Sequence, residues 1–300
     1  MAQSLWKIAG SILTSPPKKI NSDPGFIAVS FEFCKKISHA VIFLVSLFFV
    51  STAHSTEIIA TIPPLAGLIH LLDKESQVTC LLPAGSDPHH FQLSPRQIEK
   101  LKHVSLLIRT SKDDYAWLKL SSETPVIDLW PDQDHAWLNP EHVAIILPRL
   151  AERLITASPE KKAQILDNLK SAQKKVASIK LRLTKALDPL KTKGIIIQHP
   201  SWRGLFEQLN IPILTTLESN HHGHEHGPRH LEKALNILKE NPDAMLIGDL
   251  QHSNRSLQWL SKHSNHETGK KEILYLDALG SCDHDWATLM EQNISRIRNQ

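Results

Sequence analysis

The fold class predicted is α/β: two lobes, each with a small, mainly parallel sheet flanked by helices, joined by one long rigid helix. Three observations carry that expectation. Short aliphatic and β-branched runs alternate with amphipathic stretches, the pattern of parallel strands with helical crossovers. One long amphipathic stretch, 158–187, interrupts the alternation midway, and beyond it the same alternation resumes without evident identity to the first half. The expected divisions are a leader at 1–55, a first lobe at 56–157, the connecting helix at 158–188 and a second lobe at 189–300.

The leader accounts for the charge of the chain. Of a net +3, Lys7, Lys18, Lys19, Lys35 and Lys36 stand against only Asp23 and Glu32 before residue 56, which leaves 29 basic and 29 acidic side chains beyond it. A neutral body lacks the basic face that a nucleic-acid partner demands, so none is expected. Lys35 and Lys36 precede an apolar run at 40–50, and Ala53 and Ser55 place small residues where a signal peptidase reads, so cleavage is expected near residue 55. The run is shorter than the roughly 20 residues that span a bilayer, and the mature chain is expected to have no membrane span. Residues 1–33 exceed what a signal requires. Cys34 lies before the apolar run, where it does not support lipid attachment. Export would permit Cys80 and Cys282 to pair. Their separation does not establish a bridge, and Cys80, inside the apolar run 78–82, reads more simply as a small buried hydrophobe.

In the first lobe, strands are expected at 58–62, 78–82, 106–108 and 126–129, with helices after Pro63-Pro64, from Ser94-Pro95 and from Asn139-Pro140 to Leu154. In the connecting helix, Ser158 is the expected N-cap, Pro159 fits the first helical position and Pro189 blocks continuation. Ile165, Leu169, Ala172, Val176, Ile179, Leu183 and Ala186 recur at spacings of four and three, giving one apolar stripe on an otherwise polar helix. At about 1.5 Å per residue it would run roughly 43 Å, the height of two lobes. The second lobe is expected to hold strands at 194–198, 211–217, 244–247 and 272–276, with helices through Trp202, from Arg229 to Leu238, around Leu257 and from about Asp285.

His89, His135, His199 and Asp277 each fall in a loop at the carboxyl end of an expected strand, two per lobe, which is where parallel sheets bind ligands. Three neutral imidazoles and a carboxylate form an N3O donor set that suits a tetrahedral Zn²⁺. Taken one by one, His70, His230, His252, His263, His266 and His284 read as ordinary histidines without a role.

These residues carry a resemblance. The segments 85–95 (Gly-Ser-Asp-Pro-His-His-Phe-Gln-Leu-Ser-Pro), 134–140 (Asp-His-Ala-Trp-Leu-Asn-Pro) and 276–280 (Leu-Asp-Ala-Leu-Gly) resemble the motifs of the zinc/manganese-binding solute receptors of ABC importers. The similarity extends over everything from Glu57 onward. It implies that His89, His135, His199 and Asp277 are the four metal ligands, and that two lobes clamp the ion with one helix limiting their relative motion. Asp249 stands where the family usually bears Glu and is expected to accept hydrogen bonds behind the ligands, with a place among them in reserve.

The implied function is a periplasmic, high-affinity zinc receptor, a monomer that delivers Zn²⁺ to a membrane permease of the ABC type. Three imidazoles favour zinc over the harder manganese, which is the alternative cargo. The loop 221–226, with four histidines, reads as an auxiliary zinc-gathering loop or as a polar connector. A metal-dependent adhesin and a secreted zinc hydrolase are the rival functions. The chain has no His-Glu-x-x-His stretch and four ligands would leave no open position, so no enzyme is expected.

Overall fold

The computed structural model describes residues 57–88, 90–111, 126–218, 227–264 and 270–300. The leader, His89 and the histidine-rich loop therefore lie outside the described residues. In chain order the elements are β1 (Ile58–Ala60), α1 (Pro63–Leu72), β2 (Val78–Cys80), α2 (Pro95–Leu101), β3 (Leu106–Ser111), β4 (Val126–Trp130), α3 (Pro140–Ala157) and α4 (Lys162–Leu187). They continue with α5 (Leu190–Lys193), β5 (Ile195–Ile197), α6 (Arg203–Gln208), β6 (Ile213–Thr216), α7 (Pro228–Glu240), β7 (Met245–Asp249), α8 (Arg255–His263), β8 (Ile273–Leu276) and α9 (Trp286–Arg298).

The strands form two four-stranded sheets, ordered β2-β1-β3-β4 and β6-β5-β7-β8, with every pairing parallel. Each lobe thus has the same internal order, and in each the direction of winding reverses beside its first strand. That reversal opens a crevice at the carboxyl ends of the strands.

Local signals set several helix starts. Ser94 and Gln97 form a reciprocal capping box at α2, Asn139 caps α3 by accepting from the Glu141 amide, and Asp285 caps α9 by accepting from the Thr288 amide. The connecting helix departs from its expected start. Ser158 terminates α3, with its amide donating to Leu154, and Pro159–Lys161 make a 3₁₀ turn before α4 begins. The 26 residues of α4 span about 39 Å. The Pro-compatible backbone needed at 159 is met equally well by the 3₁₀ turn, so the proline marks a corner between two helices.

The apolar stripe is buried as its period demands: Ile165, Ala172, Val176, Ile179, Leu183 and Leu187 are nearly inaccessible, while Leu169 and Ala186 pack against the same core from its margin. This core continues through both lobes. It takes Ile195 and Ile197 from one face of the second sheet, whereas Ile196 points the other way into a smaller cluster with Leu246, Leu257 and Leu260. Polar rivets flank the stripe. Lys161 pairs with the buried Asp73 at 2.6 Å, Asn168 Nδ2 donates to Leu72 O at 2.9 Å, Lys175 meets Asp285 at 3.1 Å and Arg182 pairs with Glu291.

Cys80 and Cys282 are bonded to each other, with Cα atoms 6.0 Å apart. The expectation of a small buried hydrophobe at Cys80 is thereby corrected: the end of β2 and the loop after β8 abut, a proximity invisible in the linear chain. The same junction contains a close crossing. A Cβ on Gly67 in α1 would come 2.8 Å from the Trp286 amide nitrogen and 3.1 Å from its Cα, both backbone atoms that cannot swing aside. Gly67→Ala is expected to push α1 and α9 apart and destabilise the protein by about 1–3 kcal/mol. An unfolding midpoint unchanged by the substitution, measured thermally, would contradict the packing described.

Candidate metal centre

The chain segments at the carboxyl ends of β4, β5, β6, β7 and β8 supply the site, with the β2 loop facing them. His199 directly follows β5 by way of Gln198, and both are buried. Behind His199 stands Glu218, at the end of the β6 segment and equally buried. Its Oε2 lies 2.9 Å from His199 Nδ1, and its Oε1 accepts from Gln198 Nε2 at 2.8 Å. Gln198 Oε1 in turn accepts from the Leu257 amide near the start of α8 at 3.1 Å. A carboxylate gripping Nδ1 fixes the ring and its tautomer and leaves Nε2 as the nitrogen that could take a metal.

His135 enters from the first lobe in a left-handed conformation, φ 50°, which is uncommon for a residue with a side chain. Its ring centroid lies 5.5 Å from that of His199, edge to face. Two buried indoles fix this approach: Trp137 Nε1 donates to Ala278 O and Trp286 Nε1 donates to Trp137 O, each at 2.7 Å. They tie the His135 loop to the Asp277 loop. Burial lowers the His135 imidazole to about 4, with neighbouring His252 pushing the same way and Asp134 opposing. It is held neutral and ready to donate a lone pair.

Asp277 is oriented by its surroundings. Its Oδ1 accepts from Gln251 Nε2, the Leu279 amide and the Gly280 amide at 2.7, 2.9 and 2.7 Å, and none of these three bonds uses Oδ2. Gly280 takes φ +64°, the left-handed turn that lets its amide reach back. Asp249 is fully enclosed and accepts from Ser201 Oγ at 2.6 Å, bracing the segment after His199. Desolvation raises its carboxyl to about 6 against the opposing pull of His252 and the Ser201 hydrogen bond, with Asp277 adding to the rise.

Of the sequence-derived ligands, the structure brings His135 and His199 together and sets Asp277 in the adjoining loop; His89 is outside the described residues. Two further residues join them. Among the described residues one group could hold a metal ion, His199, Glu218 and His252, with potential ligand atoms all within 4.8 Å of one another. His252 stacks on His199 at 4.0 Å between centroids and 20° between planes, and its Nδ1 lies 3.2 Å from Asp87 Oδ2 of the first lobe. Burial alone would lower this imidazole, but the Asp87 hydrogen bond and the charges of Asp249, Asp87 and Glu218 raise it overall. His252 therefore differs from the ordinary histidine expected at this position. Both additions follow strands closely, the same topological sign that singled out the first four.

A pair of parallel sheets whose carboxyl ends converge on imidazoles and carboxylates defines a metal-binding receptor of two lobes. A family profile matches residues 58–300, that of ZnuA, the periplasmic component A of the zinc-uptake complex, and the chain belongs to this family. The family consists of metal-binding transport receptors that work with ABC-type permeases. The high-affinity zinc uptake system protein ZnuA of Haemophilus ducreyi is 26% identical over 281 residues, covering 77% of this chain and 87% of that protein. A crystal structure of ZnuA superimposes with a TM-score of 0.71 at 22% identity, covering 82% and 98% of the two chains. The solute-binding protein FpvC of Pseudomonas aeruginosa, in complex with Mn²⁺, gives 0.66 at 17% identity, covering 81% and 95%. No helix among the described residues is long and apolar enough to cross a membrane.

Proposed function

We propose that this receptor captures Zn²⁺ in the periplasm as a monomer and passes it to its permease, with His89, His135, His199 and Asp277 as ligands. The observation that supports this most directly is the approach of His135 from the first lobe to His199 from the second, their ring centroids 5.5 Å apart. Two imidazole donors from separate lobes at that spacing can share an ion at the usual zinc–nitrogen distance of about 2.0–2.1 Å after small side-chain adjustments. The imidazole-rich donor set favours zinc over manganese, which prefers more oxygen ligands. Secretion by a signal cleaved near residue 55 would deliver a receptor whose lobes occupy 56–157 and 189–300, spanned by the helix between them.

An anomalous-difference map at the zinc edge, from crystals of the zinc-loaded protein, tests the assignment: a single strong peak is expected between His135 and His199. A peak elsewhere, or none, would refute it. Zinc affinity is also expected to fall as pH drops from 7.5 to 5. The His135 ring, held near 4, stays neutral over that range, but any ligand imidazole whose proton affinity exceeds the ambient pH must release a proton before it can bind. The sign is therefore weaker binding in acid. Affinity constant over that interval, read by competition with a chelator of known pH dependence, would contradict ligation by any histidine that protonates within it.

A further inference from the structure

We propose that His252 is an additional ligand of the captured ion, aimed by Asp87 across the cleft, so that the receptor grips its cargo with one more imidazole than its motifs announce. This rests on the receptor reading above and deepens it.

Three independent features of the geometry converge. The first is proximity: potential ligand atoms of His252, His199 and Glu218 lie within 4.8 Å of one another. Two donors on one tetrahedral zinc sit roughly 3.4 Å apart given bonds of about 2.0–2.1 Å, so a pair of ligand atoms within 4.8 Å must close by up to about 1.4 Å to share an ion.

The second is the matched way in which the two stacked rings are held. Glu218 stands at Nδ1 of His199 and Asp87 at Nδ1 of His252, at 2.9 and 3.2 Å. Each imidazole is thus gripped at one nitrogen by a carboxylate, which directs metal binding to the other, Nε2. The rings lie nearly parallel, 20° apart with centroids at 4.0 Å, so a common ion requires one of them to tilt until the in-plane lone pairs of both Nε2 atoms converge. Glu218 is consequently a positioning residue, engaged by Gln198 and His199 together.

The third is that the turn carrying His252 is braced. Asn254 Nδ2 donates to Asp249 O at 2.7 Å and to His252 O at 2.9 Å, folding the chain back on the end of β7. Gly248 makes room for it, since a Cβ there would collide with the Asn254 amide. The His252 side chain is only 6% exposed, so it is presented from a fixed support at the cleft and not from a loose surface loop.

The experiment compares zinc-loaded wild-type protein with His252→Phe by X-ray absorption at the zinc edge and by chelator competition. Phenylalanine preserves the flat ring stacked on His199 and removes both nitrogens. The variant is expected to lose one imidazole from the zinc shell, to bind Zn²⁺ at least tenfold more weakly, and to discriminate less against Mn²⁺. Asp87→Ala is expected to weaken zinc binding as well, by less than His252→Phe, with the imidazole count retained. If His252→Phe failed to fold, His252→Gln would carry the same readouts. An unchanged imidazole count with affinity within twofold of wild type would overturn the proposal, while zinc binding lost on His135→Ala would leave the receptor reading intact. A wild-type protein that takes up no Zn²⁺ would overturn both.

Discussion

His199→Ala is expected to weaken zinc binding by more than 100-fold, as are His135→Ala and His89→Ala, whereas deletion of 221–226 should change it less than tenfold. The hierarchy follows from what each change removes. Replacing a residue that merely supports a ligand typically costs about 10- to 100-fold in metal affinity, so deleting the ligand itself must exceed that. For His199 the loss is compounded, because its removal strands the Glu218 carboxylate, buried and deprived of its imidazole partner. Glu218→Gln should fall between these limits, since the amide can still hold the ring but without a charge. Calorimetry with a competing chelator ranks all five proteins. Equal losses from the point variants and the loop deletion would refute this hierarchy, and a loss confined to the deletion would put zinc on the histidine-rich loop and not between the lobes.

The second large effect concerns stability. Replacing Cys80 and Cys282 by Ala, or reducing the bridge, is expected to destabilise the metal-free protein by about 3 kcal/mol. The bridge closes a loop of 202 residues, for which chain-entropy estimates run to about 5 kcal/mol, and measured values generally fall below such estimates. For a domain of this size, about 3 kcal/mol corresponds to a fall of roughly 6–12 °C in the unfolding midpoint. Thermal unfolding with and without dithiothreitol measures it directly. A shift below about 2 °C would show that the two loops are held together by packing alone. The bridge also accords with a protein that works outside the reducing cytoplasm, as the family does.

Periodicity made the elements legible. Runs such as Ile195–Ile197, buried throughout, and Ile273–Leu276, buried at alternate residues, read as short strands between turns, and the stripe from Ile165 to Leu183 identifies α4 from its period alone. Capping chemistry was readable where it is local, as at Ser94 and Asn139. It misled at Ser158, where a serine and a proline serve a 3₁₀ corner as well as they serve a helix start. The candidate positions His135, His199 and Asp277 could be read from strand ends and motifs, and the structure sets them in neighbouring loops. Glu218 and His252 share the strand-end position but belong to none of the quoted motifs, and their settings are tertiary: Glu218 meets His199 just past β5, and His252 has a stacking contact and a first-lobe aspartate. The Cys80–Cys282 pairing was hidden for the same reason. Such facts are created by sheet order, which sets β5 between β6 and β7, and by the docking of one lobe on the other.

The continuous core beneath α4, the indole bridge from Trp137 to Ala278 and the covalent tie at Cys80 together leave the halves of this molecule little freedom to gape. An ion must then arrive and depart through rearrangement at the rim, a matter of imidazoles rotating and turns yielding. A transporter that receives the ion would have to tug at those turns, and its grip on the loops would set the pace of unloading.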